Sequence, residues 1–177
     1  IDLSPDGTSA ITASNNGLKA WDSINGKQLR NEFEGHSGKI NSALFSQDGE
    51  LVITASDDNT SIIWNAKTGG EIKLSGHQDA VLFADFSVDG SMAVTTSRDK
   101  TAKVWDVKSG QEIYKFRKNH AGSVTCAAFS PDGNLLVTGG QDNKAIVWNL
   151  ETEKKLVRHN GGEMRSLYFF PDGRRIV

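Results

Sequence analysis

A repeat of about 40 residues constrains the fold of this chain more than any other feature. Four tryptophans follow one another at intervals of 43, 41 and 43 residues: Trp21, Trp64, Trp105 and Trp148. Asp-Gly pairs recur with a similar spacing, at residues 6–7, 48–49, 89–90, 132–133 and 172–173. Self-similarity at a period of about 40–45 residues indicates one supersecondary unit that repeats along the chain, with four short strands in each unit.

The second repeat shows how the strands follow one another. Residues 39–45 alternate loosely between apolar and polar side chains and end at a tight-turn sequence, residues 46–49. The β-branched apolar run 51–56 predicts a strand that is buried on both faces. Residues 60–64 and 71–74 follow as a third and a shorter fourth strand. The other repeats have the same order and none contains a helical apolar period, so the sequence predicts an all-β fold of antiparallel hairpins.

The fourth strand of a repeat is more polar than the other three. Charged residues occupy alternate or adjacent positions in 28–33, 111–118 and 154–158. Such charges keep the unpaired N–H and C=O groups of an edge strand from pairing with another chain. Each repeat therefore runs from an apolar inner strand to a polar outer edge. Sheets of this kind can pack face to face around an axis as the blades of a β-propeller.

Short motifs also recur in register along the chain. They are Gly-His at 35–36 and 76–77, Ser-Pro-Asp-Gly at 4–7 and 130–133, and Trp-Asp at 21–22 and 105–106. These motifs resemble those of the WD-repeat β-propeller family, and the resemblance covers essentially the whole chain. It implies four-stranded antiparallel blades, about four of them in this chain. We place the approximate repeats at 1–33, 34–74, 75–117, 118–158 and 159–177, with the first and last incomplete.

The two ends of the chain share one pattern, because residues 1–7 match residues 168–173. Both ends stop at the hairpin between a first and a second strand. The resemblance implies a ring of about seven blades. We therefore expect the chain to be a single partial propeller, 1–177, that belongs to a larger ring with further blades on both sides. The alternative is an obligate symmetric dimer that forms a ring of about eight blades.

The resemblance further implies an internal polar network in three of the repeats. In each, a Trp indole N–H would donate to a Thr hydroxyl, the hydroxyl to a His ring, and the other ring nitrogen to an Asp carboxylate. The sets are His36, Thr54, Asp58 and Trp64; His77, Thr95, Asp99 and Trp105; and His120, Thr138, Asp142 and Trp148. Buried polar groups need partners, so such a network fixes the geometry of a loop. In the first repeat, where the turn at 14–17 is shorter, we place only Thr12 and Trp21.

Several classes of site are disfavoured by the same residues. Ser, His and Asp recur together, which could suggest a catalytic triad, but a nucleophile needs one uniquely activated site and this set is repeated beside a buried Trp. The four His are about 40 residues apart, with no short spacing of metal ligands. We therefore expect no catalytic residues, no metal and no cofactor.

Composition disfavours other partners. The formal net charge of −2 gives no strong pull toward nucleic acid or an anionic membrane. The longest apolar stretches, about five residues, fall far short of the ~20 that span a bilayer. The single Cys126 cannot form an intrachain disulfide, which fits a reducing compartment. We expect an intracellular protein, cytoplasmic or nuclear, without membrane insertion or direct nucleic-acid binding.

Partner recognition is expected on the loops, since loops on a rigid scaffold carry function. In the family this surface collects the residue before the turn Asp and the residues that follow the His. The partner-binding residues implied on this basis are Lys39, Asp57, Gln78, Arg98, Ser123, Gln141 and Glu163. Arg98 is the strongest candidate, because binding hot spots favour Trp, Tyr and Arg.

Together these features predict a non-enzymatic scaffold. It would dock protein or peptide partners on the loop face of the propeller, as a subunit of a multiprotein complex. The alternative is a regulatory or sensor propeller domain appended to an enzyme elsewhere in a longer chain.

Overall fold

A computed structural model describes residues 1–14, 17–116, 120–160, 162 and 164–177. These residues form β-strands and no helix, and each group of four consecutive strands makes one antiparallel sheet. The predicted all-β fold of four four-stranded antiparallel sheets is therefore confirmed. A closed ring of about seven blades stays a prediction, as do the repeat boundaries.

The strands of each sheet are hydrogen-bonded in sequence order. The first sheet contains β1 (Asp2–Leu3), β2 (Ser9–Ser14), β3 (Gly17–Asp22) and β4 (Gln28–Phe33). The second contains β5 (Ile40–Phe45), β6 (Leu51–Ser56), β7 (Thr60–Asn65) and β8 (Glu71–Ser75). The third contains β9 (Val81–Phe86), β10 (Met92–Ser97), β11 (Ala102–Asp106) and β12 (Glu112–Phe116). The fourth contains β13 (Val124–Phe129), β14 (Leu135–Gly140), β15 (Lys144–Asn149) and β16 (Lys154–Asn160).

Four of the five Asp-Gly pairs form the turns between the first and second strands of a sheet. In the second sheet, the Ser46 hydroxyl donates to the Asp48 carboxylate at 2.6 Å and accepts from the backbone N–H of Leu51 at 2.9 Å. Gly49 follows with φ of 73°, a left-handed conformation that costs glycine least. The hydrogen bond from Ser46 is the main cause that lowers the pKa of Asp48. The pair therefore recurs because each sheet needs the same turn.

The apolar core is divided among the seams between consecutive sheets, and a tryptophan lies in each seam. Trp64 of the second sheet packs in a core with Phe33 of the first, at 5.5 Å between ring centroids. Trp105 lies in the core shared by the second and third sheets. Trp148 lies in the core shared by the third and fourth, 4.5 Å from the ring of Phe116. The tryptophan repeat therefore marks where one sheet packs on the sheet before it.

Strands β6, β10 and β14 are almost entirely buried, as their apolar and β-branched composition predicts. The far face of the fourth sheet is covered by a segment that includes Met164 and Leu167. In the part of the chain that the structure describes, no helix has the length and apolar character needed to cross a membrane.

Candidate functional site

The antiparallel order of the strands places two kinds of connection at opposite ends of each sheet. One end carries the turns from first to second strand and from third to fourth strand. The other end carries the turns from second to third strand and the segments that enter the first strand. We call this second end the loop face and define it by residues 34–39, 57–59, 76–80, 98–100, 120–123 and 141–143.

In the second sheet a chain of hydrogen bonds runs from the core to the loop face. Trp64 Nε1 donates to Thr54 Oγ1 at 2.9 Å, and Thr54 Oγ1 lies 2.8 Å from Nε2 of His36. His36 Nδ1 lies 2.8 Å from the carboxylate of Asp58. With the proton on Nδ1, the ring donates to the carboxylate and its Nε2 accepts the Thr54 hydroxyl proton.

The third and fourth sheets repeat this arrangement with nearly the same distances. His77 lies 2.9 Å from the Asp99 carboxylate and 2.8 Å from Thr95 Oγ1, to which Trp105 donates at 2.8 Å. The structure likewise brings together His120, Thr138, Asp142 and Trp148, at 2.9–3.0 Å. The three His side chains are only 1–3% exposed, so these polar groups depend on one another rather than on water.

The carboxylate of each set also holds the loop that carries the His. The backbone N–H of Ser37 donates to Asp58, that of Gln78 to Asp99 and that of Ala121 to Asp142, each at 2.9 Å. At Gly38 a Cβ atom would lie 2.7 Å from the backbone nitrogen of Asp58, so only glycine fits there. One carboxylate therefore joins the turn between second and third strands to the segment that enters the inner strand.

The hydrogen bonds keep these carboxylates ionised. Burial alone would raise the pKa of Asp58, but hydrogen bonds from Thr60, His36 and the Ser37 N–H outweigh it and lower the pKa to about 2. Burial is likewise the largest influence on the pKa of Asp99 and of Asp142, and hydrogen bonds again outweigh it, so that both values lie below the ordinary one. The fourth sheet has Lys144 where the second and third sheets have Thr60 and Thr101, and its Nζ lies 3.6 Å from Asp142.

The described residues of the first sheet form the inner part of such a network. Trp21 Nε1 donates to Thr12 Oγ1 at 2.8 Å, as the sequence led us to expect. Two of the residues in the turn between β2 and β3, Asn15 and Asn16, lie outside the described residues.

Four of the candidate partner-binding residues form two backbone-bonded pairs on the loop face. The backbone N–H of Asp57 donates to the carbonyl of Lys39, and that of Gln141 to the carbonyl of Ser123, each at 2.9 Å. Arg98 makes the same bond to Ala80 in the third sheet. The exposed members are Lys39, Asp57, Gln78, Arg98 and Gln141. Ser123 is half-buried, and Glu163 lies outside the described residues.

Three polar residues that shape this region or the core beneath it were not predicted from the sequence. Asn41 Nδ2 donates to the Asp57 carboxylate at 2.8 Å and to the carbonyl of Val81 at 2.9 Å, so it joins the second and third sheets. Lys103 is buried and paired with Glu112. Asp85 lies in the inner strand β9. A comparison of equivalent positions would have revealed Lys103, since Ile62 and Ile146 stand there in the neighbouring repeats.

The described residues contain no group of three or more His, Cys, Asp or Glu that could hold a metal ion. The His, Thr and Asp of the three networks already bond to one another, so each His ring nitrogen has a partner within its own sheet. The arrangement stabilises loops and supplies no exposed nucleophile of the kind that a triad requires.

Comparison with known families agrees with this geometry. Residues 26–65, 71–106 and 110–149 match WD40, described as the WD domain, G-beta repeat. These segments make up more than half of the chain, and the chain belongs to the WD40 repeat family. Proteins with these repeats are in general interaction scaffolds, typically without enzymatic activity, and a general scaffold role is supported for this chain.

Individual relatives match shorter segments. The small ribosomal subunit protein RACK1y of Oryza sativa subsp. japonica is 36% identical over 52 residues, which are 29% of this chain and 15% of the relative. Eukaryotic translation initiation factor 3 subunit I of Aspergillus niger is 42% identical over 55 residues, 31% of this chain and 16% of the relative. The intraflagellar transport protein 122 homolog of Mus musculus is 33% identical over 69 residues, 39% of this chain and 6% of the relative. The matches thus span less than a fifth of each relative.

Proposed function

We propose that this chain is a non-enzymatic scaffold that docks a protein or peptide partner on its loop face, as a subunit of a multiprotein assembly. The observation that carries the proposal is that exposed residues, which differ between the repeats, directly precede the buried Asp residues that hold the loop backbone. Arg98 immediately precedes Asp99, and Asp57 immediately precedes Asp58, so the exposed side chains stand next to the buried anchors.

Rigidity of the loop face favours binding. In three sheets, one carboxylate accepts hydrogen bonds both from a His ring and from the following backbone N–H. A partner that binds here does not have to order the loops, so less of the interaction free energy is lost on binding. This is how a scaffold presents different side chains on the same backbone framework.

Two exposed cations of the loop face can contact acidic or carbonyl groups of a partner. Lys39 and Arg98 are exposed cations, whereas the Asp57 carboxylate already accepts a hydrogen bond from Asn41. The guanidinium of Arg98 can donate to a carboxylate or to backbone carbonyls with two parallel hydrogen bonds. We therefore take Arg98 as the main anchor and Lys39 as a second contact.

The names of the relatives support a protein partner inside a larger assembly. One relative is named for the small ribosomal subunit and another for translation initiation factor 3. A third is named for intraflagellar transport, so the relatives do not point to one particular complex. Because these are names of intracellular assemblies, we propose that the chain works in the cytoplasm or the nucleus.

The proposal is tested by removing one charge from each end of the same sheet. The full-length protein is used to capture partners, which are identified by mass spectrometry and then measured for affinity. Arg98→Ala should weaken the binding of the captured partner about tenfold, which corresponds to about 1.4 kcal/mol. The matched control is Lys108→Ala, which removes an exposed cation from the opposite end of the third sheet and should leave the affinity unchanged. Equal affinities for wild type, Arg98→Ala and Lys39→Ala, with all variants folded, would contradict the proposal.

A further inference from the structure

The seam between the first and second sheets encloses a cavity of about 480 Å³. A volume of this size lies within the range of ligand pockets, about 300–1,000 Å³. Its inner wall is apolar and comes from both sheets, with Ile11 and Phe33 on one side and Phe45 and Val52 on the other. Its mouth lies among the turns opposite the loop face, because residues of the β1–β2, β5–β6 and β7–β8 turns line it.

Two small side chains, Ala66 and Ala20, account for this cavity, one on each wall. Two positions after the repeated Trp, the third and fourth sheets have Val107 and Leu150, which are 8% and 3% exposed and pack in the seam with the preceding sheet. The second sheet has Ala66 at this position, and Ala66 lines the cavity. The seam therefore lacks the side chain that fills it elsewhere in the same protein.

The opposite wall of the cavity also carries a smaller side chain than the equivalent walls of the other seams. One position before the repeated Trp, the second and third sheets have Ile63 and Val104, which are fully buried in the seam with the following sheet. The first sheet has Ala20 there, and it too lines the cavity. The first seam thus has alanine on both walls, at positions where the second and third seams have branched aliphatic side chains.

The outer strand leaves the cavity open. Leu29 of β4 lines it and is 53% exposed. At the equivalent position of the second sheet, Ile72 is only partly exposed and packs against the core. A Cβ atom at Gly110 would lie 2.6 Å from Cγ2 of Ile72, so the β11–β12 turn covers Ile72. The first seam therefore presents an accessible apolar surface where the second seam is covered.

Negative charge surrounds the mouth of the cavity. Its charged lining residues, among those that the structure describes, are the carboxylates of Asp6, Asp48 and Glu50 and the ammonium group of Lys67, which lies 3.6 Å from Glu50. The three carboxylates outnumber this one cation. Hydrogen bonds within the turns, first of all those from Ser4 and Ser46, lower the pKa values of Asp6 and Asp48, so both carboxylates are ionised at neutral pH. An apolar cavity with an acidic rim is complementary to an apolar group that carries a cation beside it.

We propose that this seam is a second docking site, for a peptide segment of a partner protein in which a bulky aliphatic or aromatic side chain stands next to Arg or Lys. The apolar side chain fills the space left by Ala20 and Ala66. The cation lies at the rim, where the carboxylates of Asp6, Asp48 and Glu50 outnumber the ammonium group of Lys67. The site is at the end of the sheets opposite the loop face, so it does not depend on the function proposed for that face.

Selection from a random peptide library displayed on phage tests this site directly. Peptides are selected on the full chain and counter-selected on Ala66→Leu, which introduces the residue that the fourth sheet carries at this position. The enriched peptides should contain an aliphatic or aromatic residue beside Arg or Lys. Synthetic copies should lose about tenfold or more in affinity for Ala66→Leu. They should bind Glu50→Gln several-fold more weakly than wild type at low salt, and this difference should shrink at high salt.

Arg98→Ala is the matched control, since it changes the loop face and should bind these peptides as the wild type does. Thermal unfolding is measured for each variant. If Ala66→Leu does not fold, Ala66→Val replaces it, because valine is the residue of the third sheet at this position. The proposal is overturned if nothing is enriched, if the enriched peptides lack basic residues, or if they bind the filled variant as well as the wild type.

Discussion

Thr95 and Trp105 are joined by a hydrogen bond of 2.8 Å from the indole N–H to the hydroxyl, between adjacent strands of the third sheet. The same hydroxyl lies 2.8 Å from Nε2 of His77. Thr95 thus connects the tryptophan in the seam to the histidine of the loop face. One oxygen atom satisfies two buried groups, which gives it an unusually large influence on stability.

Thr95→Val should destabilise the protein by about 2–4 kcal/mol, because it leaves the Trp105 N–H and the His77 ring nitrogen buried without partners. Thr96→Val is a matched control in the next residue. Thr96 is equally buried, but its hydroxyl has no hydrogen-bond partner among the described residues, so its loss should be neutral or stabilising. Denaturant unfolding of both variants measures the difference. Equal losses of stability would show that the hydrogen bonds of Thr95 contribute nothing beyond its packing.

Asp58 should make the stability of the second sheet sensitive to acid. Its folded pKa of about 2 lies below the ordinary value of 3.8, so the folded state favours the ionised form. The stabilisation is fully present above about pH 4 and is lost as the pH falls through the folded value. Asp58→Asn should remove about 1–2 kcal/mol at neutral pH and much less near pH 2. Urea unfolding at a series of pH values tests this, and a pH-independent difference between variant and wild type would rule out the ionisation effect.

Asp85 should make the protein less stable as the pH rises, whereas Asp58 makes it less stable as the pH falls. Burial in the inner strand β9 is the main cause that raises its pKa to about 6 from 3.8, and the charge of Asp2 adds to the shift. Because the folded state holds the proton more tightly, stability is highest below about pH 4 and falls as the pH rises through the folded value.

Asp85→Asn should therefore stabilise the protein by about 1–3 kcal/mol at about pH 7.5 and have little effect at about pH 4. The amide can still accept the hydrogen bond that the Phe86 N–H donates to Asp85. Thermal unfolding at both pH values measures the change. A variant that is destabilised at about pH 7.5 would show that the ionised carboxylate is needed in the inner strand.

Lys103 is a buried cation whose removal should cost little. Its side chain is 1% exposed, its ammonium group pairs with Glu112, and it lies 5.3 Å from the ring centre of Trp105. Replacing a buried ion pair with a well-packed apolar residue is often neutral or stabilising, whereas removal of one partner leaves the other charge unpaired.

Lys103→Ile introduces the residue that the second sheet has at this position, Ile62. The remaining charge, on Glu112, is on a side chain that is 30% exposed and can be hydrated, so this variant should be neutral or stabilising by about 1 kcal/mol. Glu112→Gln should instead destabilise the protein by about 2 kcal/mol, since it leaves the Lys103 charge buried. Chemical unfolding of the two variants gives the comparison. The reverse order of stabilities would mean that the cation itself is required in the third sheet.

The sequence allowed most of the fold to be predicted, because the repeat makes local features recur. Each Asp-Gly pair indicates a turn and each β-branched run indicates a strand, and both are recognised from a few adjacent residues. The cavity in the first seam was not predictable in this way. Ala20 and Ala66 are ordinary residues of a strand and a turn, and only their meeting across a seam creates the space.

The buried charges were missed for a similar reason. The raised pKa of Asp85 depends in part on Asp2, which lies in another sheet, and Lys103 depends on a partner in the neighbouring strand. For the networks, the resemblance to the family supplied the partners in advance. For the candidate partner-binding residues it supplied only positions, and their role remains a prediction.

Hydrogen–deuterium exchange of the full-length protein, free and bound to its captured partner, tests docking on the loop face most directly. Binding should protect the backbone of residues 34–41, 76–81 and 98–100 and leave the turn at 106–110 in the same third sheet unchanged. Protection confined to the turns at the opposite end, with no change around Arg98, would contradict it.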